Sequence, residues 1–131
     1  MVKAVSIEKA LAGLTMLDGR SAETSEADAE AAFATLAAFN SGGVFTGSFA
    51  GESPWERHSM GDELVHVLKG ATQLTIVAAD GTAHVLDMMA GMLAVVPRGC
   101  WHRFQAPDGV TVLTATPLPT DHSATDPRTK R

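Results

Sequence analysis

Glu56, His58, Glu63 and His102 are the residues of this chain whose types and spacing suit metal chemistry. Glu56 and His58 stand two apart in Trp55-Glu56-Arg57-His58, which reads as a strand, so both side chains point to one face. Glu63 opens an apolar run that ends at Gly70. Farther on, Gly91 through His102 runs apolar to Val95-Val96, turns at Pro97-Arg98-Gly99 and presents His102 at the start of another strand. Two imidazoles and two carboxylates on facing strands make a nitrogen/oxygen cage for one divalent cation. Such ligands suit Fe, Mn, Ni or Zn over Cu(I). His58, Glu63 and His102 alone already form a two-histidine-one-carboxylate set with open positions, the type used by non-haem iron oxygenases. Glu56 either completes the cage, making it more anionic, or stays outside and serves as a general base beside a metal-bound water. Spacing admits both roles. Each residue also has a plainer reading: Glu56 with Arg57 as a surface ion pair, His58 as a hydrogen-bonded core histidine, Glu63 paired with Arg57 or Arg98.

The elements that must position these groups follow from turn chemistry and periodicity. Ser6 is placed to cap a brief helix over Ile7–Ala12 that stops at Gly13. Ser25 is a good N-cap, followed by Glu26, Asp28 and Glu30 where a helix N-terminus favours negative charge. The alanine-rich stretch that follows, with Phe33, Leu36 and Phe39 as an apolar stripe, predicts a helix over 25–39 stopped by Asn40-Ser41-Gly42-Gly43. From Val44 onward the pattern changes to strands, with candidates at 44–49, 54–59, 63–69, 71–79, 82–87, 93–97, 101–106 and 110–116. Asp80-Gly81 between two apolar runs signals a tight hairpin. This count and spacing point to an all-β sandwich or closed barrel. The expected organisation is an N-terminal extension over 1–43, a barrel over 44–118 and a polar, disordered tail over 119–131.

With 131 residues, 45% apolar and 19% charged, the chain has the size and make-up of one globular domain. A net charge of −5 argues against a nucleic-acid partner. The single cysteine, Cys100, rules out an intrachain disulfide and a thiolate-only zinc site. No N-terminal leader pattern is visible, and no apolar run reaches the ~20 residues a membrane span needs. A cytoplasmic protein without a membrane partner is the expectation.

Val65, Val67 and Phe104 are the expected apolar walls of a small-molecule pocket, with Arg57 at its mouth and Cys100 near it. Arg98 and Arg103 are further candidates for the mouth, where they would attract an anionic substrate. Cys100 reads more readily as a small hydrophobe beside a turn. Trp55 and Trp101 fall on the outer face, open to a second layer or a subunit contact. His66 has the wrong parity for the cage, and His84 and His122 are expected on the surface.

The two segments resemble the paired motifs of the cupin superfamily. Glu56-Arg57-His58, four residues, Glu63, six residues and Gly70 follow the first motif, and Gly91, Pro97, Gly99 and His102 fall on the second. The wording around Trp55-Glu56-Arg57-His58 and Gly61-Asp62-Glu63 is similar to a subgroup of small bacterial cupins. Glu56 stands where the family's first histidine is usual, Ala106 replaces the usual asparagine, and Gly51 sits one residue off. The resemblance implies a double-stranded β-helix (a jelly-roll barrel) with a short N-terminal helical extension. It also implies a metal inside the barrel held from positions 56, 58, 63 and 102, and a homodimer. The expected function is a metal-dependent enzyme of oxygenase, isomerase or lyase type acting on a small organic molecule. The alternative is a non-catalytic ligand-binding or sensing module with a structural metal, or a polar cluster without any metal.

Overall fold

The computed structural model describes residues 2–129. Its elements run α1 (Ile7–Ala12), β1 (Leu17–Arg20), α2 (Glu26–Ala32), β2 (Phe33–Phe39), β3 (Gly42–Glu52), β4 (Trp55–His58), β5 (Glu63–Val77), β6 (Ala83–Met89), β7 (Leu93–Val96), β8 (Trp101–Pro117) and β9 (Thr120–Ser123), then a 3-10 turn (Pro127–Thr129). The protein is an all-β jelly roll with two short N-terminal helices. Its sheet order is β1-β3-β8-β4-β9, with β2 on β3 and with β5 joining β6 and β7 to β8. The ladder does not close into a ring as a sealed barrel would.

Strand β8 is the spine. Its C-terminal half pairs antiparallel with β3 and β5 on either side, while its N-terminal half runs between β5 and β4. Inward residues alternate along both long strands: Glu63, Val65 and Val67 on β5, His102, Phe104 and Ala106 on β8. Phe49, Leu74, Ile76, Val110 and Val112 complete the apolar core around them.

Four expected strands merge into two. The breaks read at Gly70 and at Pro107-Asp108-Gly109 are bends within continuous β5 and β8. Gly70 (φ 74°) and Gly109 (φ 96°) both lie in the left-handed region, and a Cβ on Gly70 would run into the Gly109 carbonyl. The two glycines let both strands turn the same corner together, with a register shift between Gly70 and Gln73. The Asp80-Gly81 hairpin forms as read, with Asp80 Oδ1 accepting from Thr82 N at 2.9 Å.

Helix α1 and the Ser25 cap also stand as read, with Ser6 and Ser25 accepting from Lys9 N and Asp28 N. Two other expectations need correction. The helix over 25–39 stops at Ala32, because Phe33–Phe39 pairs antiparallel with β3 from Phe33↔Gly47 to Phe39↔Gly42. A sheet edge in need of a partner overrides alanine's helix propensity. The segment after Pro119, expected as a disordered tail, adds β9 to β4 with Trp55↔Ser123 through His58↔Thr120 in register. Lys130 and Arg131, the end of that tail, lie outside the described residues. Strand β1, which no pattern announced, also forms.

Trp55 is 1% exposed, capped by the guanidiniums of Arg103 at 4.8 Å and Arg128 at 5.9 Å. It is covered by its own chain, so it offers no outward aromatic to a subunit contact.

Gly70→Ala is expected to cost about 2 kcal/mol or more in urea unfolding, from backbone strain plus the collision with Gly109. Gly81→Ala, at φ 86° but with nothing within 4 Å of a new Cβ, isolates the strain alone and should cost about 1 kcal/mol.

Candidate metal centre

His58, Glu63 and His102 arrive from three strands, β4, β5 and β8, and are 3%, 5% and 1% exposed. Alternation puts each on the inner face, and the corner at Gly70 bends the sheet so that these faces look at one another. Each offers one ligand atom, and the three atoms all lie within 4.8 Å of one another. His102 Nε2 stands 3.1 Å from Glu63 Oε1, and His58 Nε2 stands 3.4 Å from Glu63 Oε2.

These contacts are not ordinary hydrogen bonds. His58 Nε2, Glu63 Oε1 and His102 Nε2 are all buried and without an aligned partner. On its other side, His102 Nδ1 lies 3.1 Å from the Cys100 carbonyl oxygen, which can only accept, so Nδ1 carries the proton. A neutral His102 therefore turns the lone pair of Nε2 toward a carboxylate oxygen. Two acceptors facing each other at this distance need a proton or a cation between them. His58 Nδ1 meets the Thr120 hydroxyl at 3.1 Å, and Thr116 Oγ1 donates to Glu63 Oε2 at 2.6 Å. All three groups are thus braced from behind, as metal ligands are.

The electrostatics agree. Burial opposes charge on Glu63, yet the imidazoles of His102 and His58 hold its pKa down to about 2. Burial also opposes charge on His102, but Glu63, with a smaller push from Glu56, raises its pKa above the usual imidazole value. A fixed carboxylate between two histidines attracts positive charge, and a divalent ion supplies it without a proton.

Glu56 lies opposite His102 on one side and opposite His122 on the other. Its carboxylate lines the same cavity but is not among the three clustered donors, and its Oε2 lies 3.7 Å from His122 Nε2. His122 is exposed, as expected, but it also faces Glu56 and lines the cavity, because β9 carries it there. The cavity is about 500 Å³. Phe33, Phe45, Phe49 and Phe104 supply its aromatic wall, and Glu56, His58 and Glu63 part of its polar one.

Several expected pocket residues sit elsewhere. Val65 and Val67 are wholly buried in the packed core behind the cavity. Cys100 packs its side chain against that core and contributes its carbonyl instead. Arg57 points to the opposite face by strand parity, bonded to Asp121 at 3.1 Å and lying 4.6 Å over Trp101. Arg98 donates to the Ser59 carbonyl, its backbone N–H to Asp62, and Arg103 covers Trp55, so none of the three frames the mouth. The arginine that does line the cavity is Arg20, on β1. No sequence pattern flagged Arg20, Thr120 or His122.

Residues 48–115 match the profile of the Cupin domain family. Among solved structures the chain is similar to a hydroquinone 1,2-dioxygenase in complex with Cd2+ and 4-hydroxybenzonitrile (TM-score 0.56, 19% identity, 65% of this chain and 63% of that one). It is also similar to oxalate decarboxylase of Bacillus subtilis, studied for its Mn(II) centres (0.58, 14%, 69% and 26%). A third is a conserved protein of unknown function from Streptococcus pyogenes (0.53, 22%, 66% and 74%). At these identities the likeness is one of fold. The chain thus spans under two thirds of the dioxygenase and about a quarter of the decarboxylase. No curated protein matches it.

Thr116→Val removes the hydroxyl that satisfies Glu63 Oε2 and leaves a buried carboxylate oxygen without its donor. It should destabilise the chelated protein by about 1–3 kcal/mol in denaturant unfolding. Thr114→Val, which leaves that bond in place, should cost less.

Proposed function

Because this chain belongs to the cupin family, we propose that it is a metal-dependent enzyme acting on a small organic molecule, its ion held by His58, Glu63 and His102. The observation that carries the reading is the set of three buried, unpartnered donor atoms converging from three strands, with Nδ1 of His102 already committed to a carbonyl. The donor set fits Fe, Mn, Ni or Zn and leaves coordination positions free on the cavity side. When bound, such an ion supplies Lewis-acid or redox chemistry to a substrate in the adjoining space. Oxygenation, isomerisation and lyase chemistry all fall within that scope.

The chain's own residues supply the rest. The phenyl walls keep bulk water from the reacting atoms and leave room for a compact molecule in the size range of known ligand pockets. Glu56 acts as general base: its carboxylate faces the cavity outside the ligand cluster, and Oε2 takes up a substrate proton. His122 Nε2, 3.7 Å away with a ring more than half exposed, passes that proton between Glu56 and solvent. Cys100 O, Thr120 Oγ1 and Thr116 Oγ1 keep the three ligands aimed while substrate comes and goes.

Elemental analysis of protein purified without added metal should find stoichiometric transition metal, lost in His102→Ala and Glu63→Gln. Glu56→Gln should keep the ion, since Glu56 is a base; loss of the ion in Glu56→Gln would make it a ligand instead. A metal-free wild type with an unchanged melting temperature on metal addition would end the proposal. Thr120→Val should retain the fold and bind the ion about 10- to 100-fold more weakly in competition with a chromogenic chelator.

A further inference from the structure

Arg20 is a half-buried cation that forms no ion pair among the described residues. Its guanidinium lies 4.5 Å from the centroid of Phe49 and 5.5 Å from that of Phe33, and it lines the cavity that holds Glu56, His58 and Glu63. Its Nε is buried without a hydrogen-bond partner. Every other arginine among the described residues has an oxygen partner: Arg57 with Asp121, Arg98 with Ser59, Arg103 with Glu52 and Arg128 with Asp126. Arg20 enters no ion pair among the described residues. Burial lowers its pKa, and the charge of Glu56 offsets this only in part. An unpaired guanidinium in an apolar wall is costly, and ring faces compensate for only some of its lost hydration.

The fold holds Arg20 there firmly. Strand β1 runs parallel to β3, with Leu17 opposite Phe49 and Arg20 opposite Gly51. Gly51 has φ 112°, and a Cβ on it would run into the Arg20 backbone, so this approach depends on a glycine. The rings then continue inward: Phe49 lies 5.9 Å from Phe104 edge-to-face, and Phe104 lies 6.2 Å from the His102 imidazole. The cation stands two ring contacts away from the ligand cluster, with aromatic surface between. The cavity lining contains no lysine and no second arginine. Of the two carboxylates lining it besides Glu63, Glu30 is exposed to solvent and Glu56 faces His122.

We propose that Arg20 binds the carboxylate of the molecule this cavity takes, and that the substrate class is a small carboxylate with a flat, apolar body. The inference rests on the cavity being the substrate site named above. The guanidinium fork offers paired donors to a carboxylate, and Phe33, Phe49 and Phe104 offer ring faces to the body behind it. Arg20 thereby selects the substrate and orients its other end toward His58, Glu63 and His102.

Calorimetric titration of benzoate and of neutral, similarly shaped benzamide tests this on wild type, Arg20→Met and Arg20→Lys. Chelated protein is used first, so that the carboxylate cannot bind an ion, and metal-loaded protein second. Chelated wild type should bind benzoate at least about ten-fold more tightly than benzamide. Arg20→Met should weaken benzoate about ten- to a hundred-fold and leave benzamide unchanged, with Arg20→Lys between. Absence of benzoate binding, equal affinity for the two ligands, or equal weakening of both in Arg20→Met overturns the proposal. If Arg20→Met fails to fold, the wild-type preference and the Arg20→Lys loss decide. A benzoate preference that persists in protein shown to bind no metal would fell the metal reading and leave Arg20's role standing. Metal binding without that preference would do the reverse.

Discussion

A carboxylate held between two imidazoles, all three out of reach of water, is the interaction the rest of this molecule is arranged around. Left alone, Glu63 would be among the most expensive groups in the interior. Hydrogen bonding relieves only Oε2, through Thr116; Oε1 faces a histidine nitrogen whose tautomer is set by a backbone carbonyl. The cluster is therefore short of one positive charge at its centre. A fold that buries such a cluster gains a strong affinity for whatever cation fills it, and loses stability when none does.

Holding three such groups together from separate strands requires long strands that bend without breaking. The corner at Gly70 and Gly109 does this for β5 and β8, so that Glu63 and His102 remain on the same inner surface as the apolar core. Phe104 lies beside His102 and Phe49 beside Phe104, and this ring stack makes the cavity wall rigid on one side. Short strands β1, β4 and β9, paired onto β3, β8 and β4, bring Arg20, Glu56 and His122 to the same cavity. The long strands thus present Glu63 and His102, while the short ones present His58 together with the groups that meet a substrate.

That division explains what could be read beforehand. The His58, Glu63 and His102 spacing lies within strands whose alternation and bounding turns are strong local signals, and the resemblance in motif order pointed to the same three residues. Arg20, Thr120 and His122 had no comparable signal. They sit on four-residue strands that pair with β3 and β4; β4 is as short, but its His58 belonged to a motif continued by Glu63 and Gly70, whereas β1 and β9 carry no such motif. The helix expected over 25–39 fell short for a related reason: from Phe33 on, a stretch with four good helix formers in seven residues gave way to a vacant sheet edge. Arg57, Arg98 and Arg103 were placed at the mouth by proximity in sequence to the ligands, whereas strand parity and turn hydrogen bonds carry them away from it.

Trp55 has a use unrelated to chemistry. Its indole is sealed beneath Arg103 and beneath Arg128 of the C-terminal 3-10 turn, one strand residue away from Glu56. Its emission will therefore be short in wavelength while that turn is docked and will shift red when solvent reaches the ring. Because β9 and the turn are the outermost pieces of the sheet, they open at lower free energy than the core does. With Trp101 replaced by Phe, intrinsic fluorescence thus gives an optical gauge of how often the wall carrying Thr120 and His122 peels back, with no label attached.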